Sequence, residues 1–369
     1  DATLRWNSML RIGFSPITAG ANILFGDVAN IIEAIGGRFF NAKDLNNATK
    51  IFFKQNFDKE SQLNKWLEKL NPLQELDDYQ QVSEATLKSK MSLEKLQEYM
   101  YSMQKSGEKY LQSRTMLAVL IREGYINSDG TNTDKGNTIS DKEAEQLADK
   151  IQRLNQLIHG RYSERDAATL QQSVLYRLII QFKKWLPSAI EARIGEYQYD
   201  NRLQVEIEGR YRTFMKLIFN LKDTIERLKE GKLTELELYN MKKMLVELTL
   251  MAATAFSYAM LMGDDDEDKK RRKQPIFKIG MTLLNRVSGD IAFFYSPEQI
   301  SHLAKNVIPL VRTVDDLRQA ITYLPSAFGE DAYYKRGSRK GQHKTLTKFG
   351  SIVPGVKPIQ DIIRLTNEE

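Results

Sequence analysis

An all-α fold is predicted by three features: long stretches without proline, apolar residues that step by three and four, and helix-start signatures ahead of those stretches. No proline falls between Pro72 and Pro187, or between Pro187 and Pro275, so the strongest helix breaker is missing from two long spans. No run alternates polar and apolar residues in the manner of a half-buried strand. Six of the nine prolines lie after residue 274. The expected architecture is therefore a multi-helix bundle, elongated, with a more irregular proline- and glycine-containing C-terminal region. It divides into an N-terminal helical region (1–123), a central long-helix bundle (140–263) and a C-terminal helical region with a basic arm (275–369).

Taken in order, Leu4, Trp6, Met9 and Leu10 begin an amphipathic helix. With Asp1 in place of methionine, this predicts a piece of a longer polypeptide. Ser15 and Pro16 open a second helix through Ile23, Leu24, Phe25, Val28, Ile31, Ile32 and Ile35, closed by Gly36 and Gly37. Gly20 and Gly26 inside it each cost about 1 kcal/mol relative to alanine, so it needs a surface to pack on. Gly124 to Thr138, with Asn127, Ser128, Asp129, Gly130, Thr131 and Asn132, reads as an exposed loop. Beyond it, Ala144, Leu147, Ile151, Leu154 and Ile158 form one apolar helix face. Tyr211, Phe214, Ile218, Leu221, Ile225 and Leu228 form another. Ser140 with Glu143 and Thr234 with Glu237 are S/T-x-x-E capping boxes, and Ser296, Pro297 and Gln299 mark a later start.

Composition removes most catalytic toolkits. The 369 residues are 41% hydrophobic and 28% charged, ordinary globular proportions. Zero cysteines exclude disulfides, thiolate metal sites and cysteine nucleophiles, and His159, His302 and His343 are too scattered for a His-pair metal motif. The net charge of +6 permits an anionic partner without demanding one. The chain is read as no enzyme, with no cofactor.

Several short patterns imitate sites. Asp264, Asp266 and Asp268 have the D-x-D-x-D spacing that some RNA polymerases use for magnesium, but they run with Asp265 and Glu267 into Lys269, Lys270, Arg271, Arg272 and Lys273. A solvated zwitterionic loop is the better reading. Asn132, Asp134, Gly136, Ile139 and Glu143 approximate a calcium loop but place Asn137 where glycine is needed, so a surface loop before a capped helix is preferred. Gly337, Gly341, Lys344 and Thr345 have the wrong spacing for a phosphate loop.

Two segments carry more. Lys335, Arg336, Arg339, Lys340, Lys344 and Lys348 occur without an intervening acid beside Tyr333, Tyr334 and His343, a composition suited to phosphate neutralisation and base stacking. Met244 to Met262 holds one charge, Glu247. Leu245, Val246, Leu248, Leu250, Ala252, Ala253, Phe256 and Leu261 make it either a central bundle helix, the preferred reading, or a conditional membrane segment.

Ile12 to Gly26 and Leu157 to Arg212 contain Gly160, Tyr162, Asp166, Lys184, Trp185, Gly195, Tyr199, Glu208, Gly209 and Tyr211. On these residues the chain resembles the helical C-terminal regions of very large virion proteins of crAss-like tailed bacteriophages. The two stretches span about a fifth of the chain, and no catalytic residue transfers with them. The resemblance implies a structural and delivery role: a cargo protein packaged near the portal or in the tail lumen, inside the virion, and ejected with the genome into the host envelope or cytoplasm. It implies other virion proteins (portal, tail or further cargo) as partners, with phage DNA and the host membrane beside them. Bundle packing around Leu175 to Phe182 and Met244 to Met262 would hold the folded form against those proteins. Two alternatives stay open: a segment of a giant phage virion RNA polymerase, and a membrane-associated helical scaffold.

Overall fold

The computed structural model describes residues 16–72, 92–160, 185–261, 281, 332–335, 341–344 and 346–347. These are mostly helical. Helices α1 (Pro16–Gly36), α2 (Ala42–Gln55), α3 (Gln62–Leu70), α4 (Ser92–Arg122), α5 (Asp134–Asn137) and α6 (Asp141–His159) come first. They are followed by α7 (Trp185–Ile194), strands β1 (Gln198–Asp200) and β2 (Val205–Ile207), α8 (Arg210–Phe219), α9 (Leu221–Lys229) and α10 (Glu235–Leu261).

The C-terminal half of α4 is the axis of the molecule: every residue from Leu111 to Leu120 is buried, so this helix is enclosed on all faces. Its apolar side chains join those of α2, α3 and α6 in one core that runs from Ala34 to Leu203. Two of the polar residues it buries, Arg114 and Thr115, are paired with neighbouring helices, whereas the Ser113 hydroxyl has no hydrogen-bond partner among the described residues. Arg114 reaches Asp27 of α1, donates from Nε to Thr49 Oγ1 (2.9 Å) and from Nη1 to Tyr110 Oη (2.6 Å). Thr115 Oγ1 donates to Asn30 Oδ1 at 3.0 Å.

Helix ends follow local chemistry. In α2, Asn41 accepts the backbone N–H groups of Lys43 and Asp44, while the Asp44 carboxylate accepts the Asn41 N–H at 2.9 Å. Ser140 Oγ accepts the Glu143 N–H and starts α6 where its sequence signature places it. The Glu143 side chain accepts instead from Tyr125 Oη at 2.7 Å. Thr234 and Glu237 form both bonds of their box. Gly37, at φ +78°, ends α1.

Three segments depart from the sequence reading. The strands β1 and β2 were not foreseen. They pair antiparallel, Gln198 with Ile207 and Asp200 with Val205, around a turn in which Asp200 Oδ1 accepts the N–H groups of Arg202 and Leu203 at 3.0 Å each. Strands of three residues are too short to show alternation. The 124–138 segment is only partly an exposed loop, since Tyr125 and Ile126 are buried, Ile126 bridges Asn132, and α5 is folded inside it. The series from Tyr211 to Leu228 is interrupted at Asn220 (φ −111°, ψ 41°), giving two helices that bury Thr213, Leu217 and Thr224 and leave most of the apolar face outside.

Candidate functional site

Among the described residues, the densest concentration of buried charge lies where α1, α7, α8 and α10 meet. Glu247, 1% exposed, enters from α10. Its Oε1 accepts from Arg193 of α7, through Nε at 3.0 Å and also through Nη2, and from Tyr211 Oη at 3.3 Å. Its Oε2 accepts from Arg210 Nε of α8 at 2.5 Å. Burial alone would push the Glu247 carboxyl up, but the Arg210 and Arg193 guanidiniums outweigh it and hold the group below the usual carboxylate range.

Four residues along α10, a second group forms. Glu33 of α1 accepts from Tyr239 Oη and from Lys243 Nζ, both at 2.6 Å, and Lys243 also donates to Tyr239 Oη at 2.8 Å. Burial pushes the Tyr239 phenol well up, and Glu33 adds to this; burial lowers Lys243, and the Glu33 carboxylate recovers only part of the loss. Asn240 is anchored between the groups, donating to Thr213 Oγ1 (2.8 Å) and Glu208 O (3.0 Å).

These side chains form one wall of a cavity of about 100 Å³. Phe25, Val28, Ile32, Leu154, Ile158 and Leu250 supply apolar surface to the rest. Glycines let two segments of the lining approach closely: a Cβ on Gly209 would lie 2.5 Å from the Arg193 carbonyl group, and Gly209 N donates to Gly195 O at 3.0 Å. Arg153 of α6 fastens the hairpin and α7 beside it, through Nε to Asp200 (2.7 Å) and Nη2 to Glu191 (2.8 Å). Gly195, Glu208, Gly209 and Tyr211, four residues of the resemblance, therefore belong to one local arrangement.

The sequence-predicted sites lie elsewhere or are used differently. Of the basic arm, Tyr333, Tyr334, Lys335 and Lys344 are described, whereas Arg336, Arg339, Lys340 and Lys348 lie outside the described residues. Tyr333 bridges His343 antiparallel with ring centroids 5.3 Å apart, and Gly341, at φ +81°, donates to Tyr334 O at 2.8 Å, so the described part is a small hairpin. Of the 244–262 segment, residues 244–261 fall on α10: Met244 and Glu247 are buried, Val246, Leu248 and Leu250 are half-buried, and Leu245, Ala252, Ala253 and Phe256 are exposed. The Leu261 side chain, the Asp264–Asp268 string and residues 175–182 lie outside the described residues. Among the described residues no helix is long and apolar enough to cross a membrane, and no group of three or more metal-ligating side chains assembles. The calcium-loop candidate Asn132 instead accepts from Trp66 Nε1 at 2.9 Å.

Comparison of the chain with protein-family models, curated proteins and solved structures gives no match. Sequence reasoning did not single out Glu33, Arg193, Arg210, Tyr239 or Lys243. Their one legible signal was Glu247, the lone charge in an apolar run, which a buried position explains only if cations arrive from other elements.

Proposed function

We propose that this chain is a helical structural and delivery component of a tailed-phage particle, lodged inside the capsid or tail lumen near the portal and expelled with the genome. The reading extends the helical bundle into an elongated body with an irregular C-terminal region. It places the basic hairpin at Tyr333 and Tyr334 against DNA.

The observation that carries the proposal is the outer face of α8 and α9. Met215, Ile218, Phe219, Leu221, Ile225 and Leu228 are all exposed, Phe219 by 77% and Leu221 by 56%. Scattered surface apolar residues need no explanation, but six gathered on two successive helices mark a surface completed by another molecule. A protein packed among neighbours in a particle has such faces, with its buried charge used to fix helix against helix. In this reading Glu247 clamps α7 and α8 to α10, so that the stripe is presented at a set angle.

The test is lysine cross-linking of purified, intact particles followed by peptide mass spectrometry. Lys222 and Lys229, exposed on α9, should link to a different virion protein. Particles that contain no peptide of this chain remove the virion location, and links confined to this chain remove the packing role.

A further inference from the structure

From the cavity between α1, α6, α7 and α10 we infer that the protein binds a small amphipathic anion, a medium-chain carboxylate being the simplest example, with its head on Lys243 and its tail on the apolar wall. This goes beyond the packing role and does not depend on it. A space of about 100 Å³ lined by both hydrocarbon and charge accepts a molecule with one apolar and one polar end.

The sign of the head group follows from hydrogen-bond inventory. Every carboxylate oxygen of Glu33 and Glu247 already accepts at least one hydrogen bond. The other acids on the lining have cations of their own: Glu208 pairs with Lys216, Glu191 with Arg153 and Glu196 with Arg212. Each of these acids is thus already neutralised, and the Glu33 and Glu247 carboxylates together face Lys243, Arg193 and Arg210, which leaves the cluster one positive charge in excess. Lys243, by contrast, has three N–H donors and gives two of them to Glu33 and Tyr239, leaving one for an incoming acceptor. The guanidiniums of Arg193 and Arg210 add positive field on the same wall. Phe25, Val28, Ile32, Leu154, Ile158 and Leu250 supply the hydrocarbon of the lining. Ala29 and Ala192 contribute only methyl groups to the lining.

The experiment is isothermal titration of the full chain with octanoate, octanol and octylamine. Octanoate should bind at one site, and octanol about tenfold or more weaker, the loss expected when a charge-assisted hydrogen bond is removed. Octylamine should not bind. Ala29→Phe adds bulk on the lining; with its helical circular dichroism and urea midpoint unchanged, it should abolish octanoate binding. Phe219→Ser, on the exposed elbow, should leave binding intact. Failure of the wild-type chain to bind octanoate overturns the inference, as does equal affinity for octanol and octanoate. Binding that survives Ala29→Phe, or that is lost in Phe219→Ser, places the ligand on the surface stripe and also overturns it.

Discussion

Lys243 Nζ and Glu33 Oε2 lie 2.6 Å apart although 210 positions separate them in sequence. The pair fixes α10 against α1, and the fit is close: a Cβ on Gly36 would sit 2.8 Å from the Tyr239 ring. A buried ion pair gains little net stability over an apolar replacement, because desolvation offsets the attraction, but removing one member strands the other. Glu33→Leu alone is therefore expected to cost about 3 to 5 kcal/mol in urea unfolding. Adding Lys243→Met should recover a large part of that cost. A double variant as unstable as the sum of the singles would mean that the two groups do not interact.

Acid should loosen the same region. Glu247 and Asp200 both have folded-state pKa values depressed below their ordinary values of 4.5 and 3.8. For Asp200 burial pushes upward, and the Arg153 and backbone hydrogen bonds overcome it. A depressed carboxyl contributes stability that is complete above its unfolded value and is lost as pH falls through its folded one. The urea midpoint should thus fall below about pH 4.5, and Glu247→Gln should lower the neutral plateau while making the acid slope shallower. An unchanged slope would show that Glu247 does not titrate with folding.

His159 predicts a separate step at higher pH. Burial, and then the Arg114 charge, lower its pKa to about 3 from 6.5. It is neutral in the fold, while the unfolded chain takes up a proton below about pH 6.5. Its contribution is complete above that value and declines by about 1.4 kcal/mol per pH unit on the way down. Denaturation between pH 6.5 and 4.5, above the carboxylate window, isolates it. His159→Gln should flatten the curve there, and a wild-type curve already flat over that interval would contradict a buried neutral imidazole.

The helices were legible because their signals are local. Pro16, Gly36, Ser140 and Thr234 act on backbone groups within a turn, and the face from Ala144 to Leu154 repeats at the helical period. The charge site was not legible, because Glu33, Arg193, Arg210 and Lys243 come from four helices and nothing in sequence spacing encodes their meeting. Periodicity also could not tell an inward stripe from an outward one. Leu154 and Leu221 occupy equivalent positions in their patterns, yet Leu154 is buried and Leu221 exposed, because which face is covered depends on packing from elements distant in sequence.

That outward stripe separates stability from association. Phe219→Ser and Leu221→Ser change side chains that the fold leaves in water, so unfolding free energy should move by no more than about 0.5 kcal/mol. Capture of the partner proposed for this face should, in contrast, drop sharply in pull-down. A loss of several kcal/mol in stability would mean that these residues are core after all.

The turn at Asn132 gives a last contrast between motif and structure. Its side-chain oxygen accepts from the Trp66 indole N–H, and its amide donates to Asn137 Oδ1 at 3.1 Å, while Thr133 Oγ1 accepts the Gly136 N–H and caps α5. Asn132 Oδ1, the first ligand that a calcium loop would use, is thus already engaged by the indole. Trp66 is buried, so removing its acceptor leaves an indole N–H without water. Asn132→Ala is expected to cost about 1 to 3 kcal/mol, the penalty for an unsatisfied buried donor. Added calcium should leave the melting temperature of both wild type and variant where it was. A calcium-dependent rise that disappears in Asn132→Ala would restore the metal reading of this turn.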